Sequence, residues 1–175
     1  MDRSRNFRAL LVAALGTVPL LAVAQNAAAD TAVSASDRAF VAKVSQGGMF
    51  EVEASRLATQ KAVAQDVKDI GNTEVHDHTL VGDKLKSIAS SADLEIADKL
   101  NADFQGQLDK LASLSGAAFD DAYIASMNRI HAKDGAAFAH EARFGRNTQL
   151  REFAAETHRI VQRHIGALHG ADPGK

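Results

Sequence analysis

Residues 74–78 of the chain read Glu74-Val75-His76-Asp77-His78, and they interrupt the apolar face of a predicted helix. In the surrounding run, 66–90, the apolar residues that share one helix face are Val67, Ile70, Val81, Leu85 and Ile88. Glu74 and His78 occupy the positions that helical spacing leaves between Ile70 and Val81, so one continuous face carries all seven side chains. Burying a carboxylate and an imidazole costs several kcal/mol unless they are paired, hydrogen-bonded or metal-bound. The stretch therefore predicts a helix whose core face needs partners from other helices.

The N-terminus has the three parts of an export signal. Arg3, Arg5 and Arg8 precede an apolar run that ends in Ala22-Val23-Ala24, which predicts cleavage before Gln25; Ala27-Ala28-Ala29 is a second candidate site. The apolar run is shorter than the about 20 residues of a membrane span. We therefore expect residues 1–24 to be removed rather than kept as an anchor, which leaves no transmembrane segment and places the protein in the periplasm. The absence of cysteine excludes disulfides and lipid attachment.

The mature chain is acidic and long enough for one domain. Removing three Arg and one Asp from the 20 basic and 22 acidic residues leaves 17 and 21, a formal charge of −4. This charge argues against nucleic acid as a partner. We expect a flexible lead over 25–35, one domain over 36–170 and a short tail over 171–175.

Proline is present only at positions 19 and 173, and no stretch alternates apolar with polar residues, so the domain is predicted to be all-α. Four long helices are expected at about 37–61, 65–90, 115–144 and 148–169. Ser36-Asp37 and Asn147 are predicted N-caps, and Gly145 is a predicted stop. A long connection with a short helix at about 102–113 predicts a crossover between the second and third long helices.

Each long helix places a polar, metal-competent residue among its apolar positions. These residues are Glu51 in the first helix, Glu74 and His78 in the second, His131 and Asp134 in the third, and His164 in the fourth. Histidine with carboxylate suits zinc, iron, copper or manganese. A buried hydrogen-bonded network fits the same pattern. Surface positions are expected for Asp77 and for His76, His140, His158 and His169.

Several short motifs, in this order, resemble a bacterial exported family called domain of unknown function 4142 (DUF4142). The motifs are Phe40–Gly48, Glu51-Val52, Asp77-His78-Thr79, Leu114–Asp120 and Phe153-Ala154-Ala155. The resemblance covers about residues 40–168 and implies a ferritin-like four-helix bundle. The resemblance implies that Glu51, His78, His131 and His164 correspond to characteristic positions of the family. The family has no established activity and is often labelled an outer-membrane protein.

The sequence departs from the ligand pattern of ferritin-like di-iron proteins. Those proteins use Glu-x-x-His on two helices, whereas Glu74 and His78 are four residues apart and Val161 lies three residues before His164. We therefore expect one divalent ion or none. If the ion is present, Glu51, His78, His131 and His164 are the expected ligands, with Glu74 and Asp134 orienting an imidazole.

Two classes of function remain open. The first is a periplasmic binding or stress-related module with a metal ion or small ligand between its helices. The second is a structural or interaction protein whose polar residues only fix helix register. An enzyme ranks third, because the chain has no phosphate-binding glycine loop, no supported Ser-His-Asp pattern and no cysteine nucleophile.

Overall fold

The computed structural model describes residues 31–171, and no strand occurs among them. The helices are α1 (Ala35–Lys61), α2 (Gln65–Ser91), α3 (Ala102–Ala112), α4 (Ala117–Phe144) and α5 (Thr148–Gly170). The predicted all-α class is confirmed. The expected export signal, most of the lead and residues 172–175 lie outside the described part of the chain.

The start of α1 differs from the prediction, because its N-cap is Ser34 and not Ser36 or Asp37. Ser34 Oγ accepts from the backbone N–H of Asp37 at 3.1 Å, and Asp37 Oδ2 accepts from the backbone N–H of Ser34 at 2.7 Å. This reciprocal pair is a capping box, in which the acidic residue lies inside the first turn. Asp37 also accepts from the backbone N–H groups of Arg146, at 2.9 Å, and Asn147, at 3.2 Å. The start of α1 is thereby joined to the turn between α4 and α5.

At the opposite end of the molecule, Asp120 joins the start of α4 to the turn between α1 and α2. Its carboxylate accepts from the backbone N–H groups of Val63, at 3.2 Å, and Ala64, at 2.9 Å. Because each end of α4 lies beside the opposite end of α1, these two helices are antiparallel. The predicted Gly145 stop and Asn147 cap are both confirmed, with Asn147 Oδ1 accepting from Leu150 N at 3.0 Å.

The connection between α2 and α4 runs along the outside of α1. Arg38, near the start of α1, donates to the carbonyl of Asp93 at 3.5 Å. Gln46, in the middle of α1, donates to the carbonyl of Lys99 at 2.9 Å. Lys61, at the end of α1, donates to the carbonyl of Ala112. The predicted crossover, with α3 within it, therefore returns the chain from one end of the bundle to the other.

The core contains two apolar clusters. One includes Phe50, Tyr123 and Met127, and the other includes Phe40, Leu85, Phe138 and Phe153. Glu51, Glu74, His78, His131 and His164 come from α1, α2, α4 and α5 at heights between these clusters, and we call these five residues the polar layer. The four long helices thus surround one band of buried polar side chains.

Candidate metal centre

The polar layer is almost completely shielded from solvent. The exposed fractions are 2% for Glu51, 1% for Glu74, 3% for His78, 0% for His131 and 4% for His164. Charged or polar groups at this depth need partners or a bound ion. The structure therefore brings together the four residues expected as ligands, together with Glu74.

Four atoms of the polar layer form a compact group of metal-ligand type. Glu74, His78, His131 and His164 each offer one ligand atom, and these atoms all lie within 4.8 Å of one another. Glu74 Oε2 is 3.1 Å from His78 Nε2, 3.3 Å from His131 Nε2 and 3.1 Å from His164 Nδ1. His78 Nε2 is 3.3 Å from His164 Nδ1 and 3.5 Å from His131 Nε2. Neighbouring ligand atoms of a tetrahedral zinc site with bonds of about 2.0–2.1 Å are about 3.3 Å apart, and the five spacings of 3.1–3.5 Å fit that value.

The two glutamates take places opposite to those expected from the sequence. Glu74, expected to orient an imidazole, presents one oxygen to all three rings. Glu51, expected as a ligand, places Oε2 3.1 Å from the outer nitrogen of His78, Nδ1, and Oε1 3.3 Å from His131 Nε2. The reason is the helix of origin. Glu74 lies one turn before His78 on α2 and reaches the centre beside it, whereas Glu51 approaches from α1 and meets the far side of the His78 ring.

Asp77 belongs to the site, although a surface position was expected for it. His164 Nε2 donates to Asp77 Oδ2 at 3.0 Å, and the Asp77 side chain is only 21% exposed. A carboxylate on the outer nitrogen of an imidazole fixes its tautomer and orientation, as in carboxylate–histidine–zinc arrangements. Asp77 lies three residues after Glu74 and four before Val81, which places it at the edge of the same helix face. This spacing is the feature of the sequence that could have identified Asp77 as a residue of the site.

The sequence predicts that Asp134 orients an imidazole, but in the structure Asp134 does not contact one. Its carboxylate lies 3.7 Å from Lys43 Nζ, and it fills the space that Gly47 leaves open on α1, where an added Cβ would be 2.0 Å from Asp134 Oδ2. Burial and the nearby Glu51 raise the pKa of Asp134 to about 7. Asp134 therefore lies at the border of the polar layer, with its carboxylate turned to α1.

The other histidines lie away from the polar layer. His76, His140 and His169 are exposed, as expected. His158, also expected at the surface, is half-buried between α5 and α4, where its Nδ1 lies 3.1 Å from the carbonyl of Gly135.

Hydrogen bonds among the described residues do not satisfy the polar layer. Glu74 Oε1, Glu74 Oε2, Glu51 Oε1 and His131 Nδ1 are buried and have no partner in hydrogen-bond geometry. The short distances to Glu74 Oε2 therefore join atoms that are close but not aligned as donor and acceptor. Ligands that face a common centre, rather than one another, have this arrangement.

The carboxylates beside the outer ring nitrogens determine where the imidazole protons lie, and these proton positions also indicate a centre shared by the inner nitrogens. Asp77 takes the N–H of His164 Nε2, and Glu51 lies beside Nδ1 of His78. If each ring is neutral with its proton on that outer nitrogen, two lone pairs face each other across the 3.3 Å between His78 Nε2 and His164 Nδ1. That contact is unfavourable unless a cation or an extra proton lies at the centre.

The charges of the site also favour a cation. Burial opposes a positive charge on His78, His131 and His164, but the neighbouring carboxylates outweigh it and the pKa of each ring is raised. Burial acts to raise the pKa of Glu74, yet the three rings hold it well below its usual range. The polar layer is therefore built to retain positive charge, carried either by protons or by a metal ion.

Comparison with known proteins identifies a family but not an activity. No curated protein and no solved structure matches the chain. The resemblance to ferritin-like bundles and the outer-membrane label therefore remain predictions. A family model described as a domain of unknown function matches residues 22–169, which is most of the chain. The chain therefore belongs to the DUF4142 family.

Proposed function

We propose that this DUF4142 protein is an exported module that binds one divalent transition-metal ion, preferentially zinc, in the centre of its helical bundle. The observation that carries the proposal is the spacing of Glu74 Oε2, His78 Nε2, His131 Nε2 and His164 Nδ1, of which one oxygen contacts three nitrogens at 3.1–3.3 Å. A hydrogen-bonded network alone would not leave that oxygen without an aligned donor.

The donor set favours zinc over other common ions. Three imidazole nitrogens suit zinc, copper or iron, whereas calcium and magnesium prefer sets made of oxygen. Copper(II) prefers a tetragonal arrangement, and a tetrahedral group of nitrogen and oxygen atoms fits zinc better. Glu51 lies beside the outer nitrogen of His78, and Asp77 accepts from the outer nitrogen of His164. Carboxylates that are not themselves ligands orient histidine ligands in this way in zinc proteins.

The geometry supports a closed site. Four protein atoms lie within 4.8 Å of one another, enough to supply a full tetrahedral ligand set, and none of the four side chains is more than 4% exposed. Catalytic zinc sites keep one position for water or substrate, whereas structural sites have four protein ligands. We therefore propose a role in metal retention and in metal-dependent stability rather than in catalysis.

Secretion is part of the proposal and rests on the charged, apolar and small-residue order of residues 1–24. None of the helices within residues 31–171 is both long and apolar enough to span a membrane. Mass spectrometry of periplasmic protein is expected to find a chain that begins at Gln25 or a few residues later. An intact Met1 in that fraction would contradict this part of the proposal.

The metal test uses thermal unfolding of chelator-treated protein. At about pH 7.5, added zinc is expected to raise the Tm of the wild type with the logarithm of free metal, because the ion binds the folded state. The effect should be largely lost in His131→Ala and His164→Ala, which remove ligands from different helices. His140→Ala, which removes an exposed histidine of α4 away from the polar layer, should respond like the wild type. An unchanged wild-type Tm, or equal stabilisation of all variants, would show that the polar layer is structural only.

A further inference from the structure

A cavity of about 710 Å³ lies between α1, α2 and the crossover. This volume is within the range of small-molecule sites, about 300–1,000 Å³. We call it the α1–α2 cavity. Its wall includes the apolar side chains of Val44, Val52, Val81, Leu85, Ile96 and Leu108. The cavity reaches from the surface to the apolar cluster around Phe138 and Phe153.

Three polar side chains in this wall, those of Ser45, Thr79 and Gln105, hydrogen-bond within their own helices. Ser45 Oγ donates to the carbonyl of Ala42 at 3.1 Å, and Thr79 Oγ1 donates to the carbonyl of Val75 at 2.6 Å. Gln105 donates to Asp109 at 2.8 Å. An occupant would therefore gain from apolar contact with the wall rather than from directed hydrogen bonds inside it.

Two glycines on facing helices give the cavity its width. Gly48 of α1 and Gly82 of α2 line it, and a Cβ added at either position would meet no atom within 4 Å. The glycines at helix contacts differ, since an added Cβ would lie 2.0 Å from Asp134 at Gly47 and 3.0 Å from Ala58 at Gly71. Glycine inside a helix destabilises it relative to alanine. Gly48 and Gly82 destabilise their helices without allowing a neighbouring helix to pack closer. Their effect is therefore to keep the α1–α2 cavity open.

The cavity is long, and apart from the buried His78 its charged wall residues are exposed. Its wall follows α1 from Val44 to Arg56, which is about 18 Å at 1.5 Å per residue. The exposed charged residues around it carry both signs, and they are Glu53, Arg56, Asp83, Lys86, Asp98 and Lys99. A long apolar interior with a charged opening matches a molecule that has one apolar chain and one polar head.

We propose that the α1–α2 cavity binds a single-chain amphiphile of the fatty-acid class. The acyl chain lies between Gly48 and Gly82, and the head group remains among the charged residues at the mouth. This inference does not depend on the metal, because its basis is the cavity wall and the two glycines. His78 forms part of the wall, so the two proposed sites are neighbours with separate tests.

The test is titration calorimetry with dodecanoate below its micelle concentration, on wild-type protein with and without zinc. We expect one binding site and a negative heat-capacity change, as burial of apolar surface requires. Gly82→Leu and Gly48→Leu should each weaken binding by about tenfold or more, because the new side chain occupies the space of the ligand. Gly166→Leu is the matched control, since Gly166 is exposed on α5 and also has no atom within 4 Å of an added Cβ. It should bind dodecanoate like the wild type.

Circular dichroism and melting identify which leucine variants are folded, and Gly82→Leu alone is sufficient if Gly48→Leu does not fold. The proposal is overturned if the wild type does not bind dodecanoate, or if a folded Gly82→Leu variant binds it as tightly as the wild type. Equal weakening by Gly166→Leu would also overturn it. The zinc-free arm separates this result from the metal proposal, because removing zinc leaves every side chain of the cavity wall in place.

Discussion

Asp77 precedes His78 in the chain, yet its carboxylate accepts from Nε2 of His164, on another helix, at 3.0 Å. The dipeptide Asp77-His78 thus supplies a candidate ligand and the residue that orients a different ligand. His164 is held between Asp77 on its outer nitrogen and Glu74 Oε2, 3.1 Å from its inner nitrogen. The α2–α5 contact therefore fixes the His164 ring from both sides.

Asp77→Asn is expected to weaken zinc binding by roughly 10- to 100-fold, the usual effect of removing an outer carboxylate. The asparagine preserves shape but loses the charge that holds the N–H of His164. Asp83→Asn is the control, since Asp83 is on the same helix in an exposed pair with Lys86 at 3.5 Å. Competition titration with a zinc indicator measures both variants. Equal affinities for the two would remove Asp77 from the site.

Glu74→Gln should weaken zinc binding more than Glu51→Gln. Glu74 Oε2 is the shared oxygen of the four-atom group, and an amide oxygen is a much poorer ligand than a carboxylate. Glu51 acts on the outer nitrogen of His78, so its loss should cost roughly 10- to 100-fold. The same competition titration ranks the two variants. The reverse order would restore Glu51 as the ligand.

His78→Ala should lower the free energy of unfolding by roughly 1–3 kcal/mol, because Glu51 and Glu74 would lose a buried partner. His76→Ala should change it by less than about 0.5 kcal/mol, since the His76 side chain is 72% exposed. Urea unfolding after chelation provides the comparison. Similar losses in the two variants would contradict the assigned helix phase.

A pH effect is expected from Glu141, which is buried beside Asp37 at the turn between α4 and α5. Burial and the adjacent Asp37 raise the pKa of Glu141 to about 7. Between about pH 4.5 and 7 the folded protein binds the proton that the unfolded chain releases. The stabilisation from this proton is therefore complete below about pH 4.5 and is lost as pH rises towards 7.

The expected loss is on the order of 1–3 kcal/mol, and Glu141→Gln should remove it because an amide can donate to Asp37 at every pH. The polar layer holds three histidines whose pKa is raised by neighbouring carboxylates, so the measured quantity is the difference in pH slope between the wild type and Glu141→Gln. Urea unfolding at pH values from about 5 to 8 supplies it. Parallel slopes would mean that Glu141 is ionised throughout.

Several features followed from the sequence because they depend on one helix at a time. The 3.6-residue period identified Glu74 and His78 as core-facing residues of α2, and both are buried. Likewise, Gly145 and Asn147 marked the turn before α5, since helix stops and caps are set by neighbouring residues. The all-α class and the crossover also needed only periodicity and segment length.

The remaining features depended on which helices meet, and at what height and rotation. Periodicity fixes the direction of a side chain around its own helix, but it does not say that Asp77 reaches His164 or that Glu74, rather than Glu51, meets all three rings. Asp134 turned to α1 because Gly47 left space there. Each of these outcomes is decided by distances of a few ångströms between helices, and those distances arise from packing of the whole bundle.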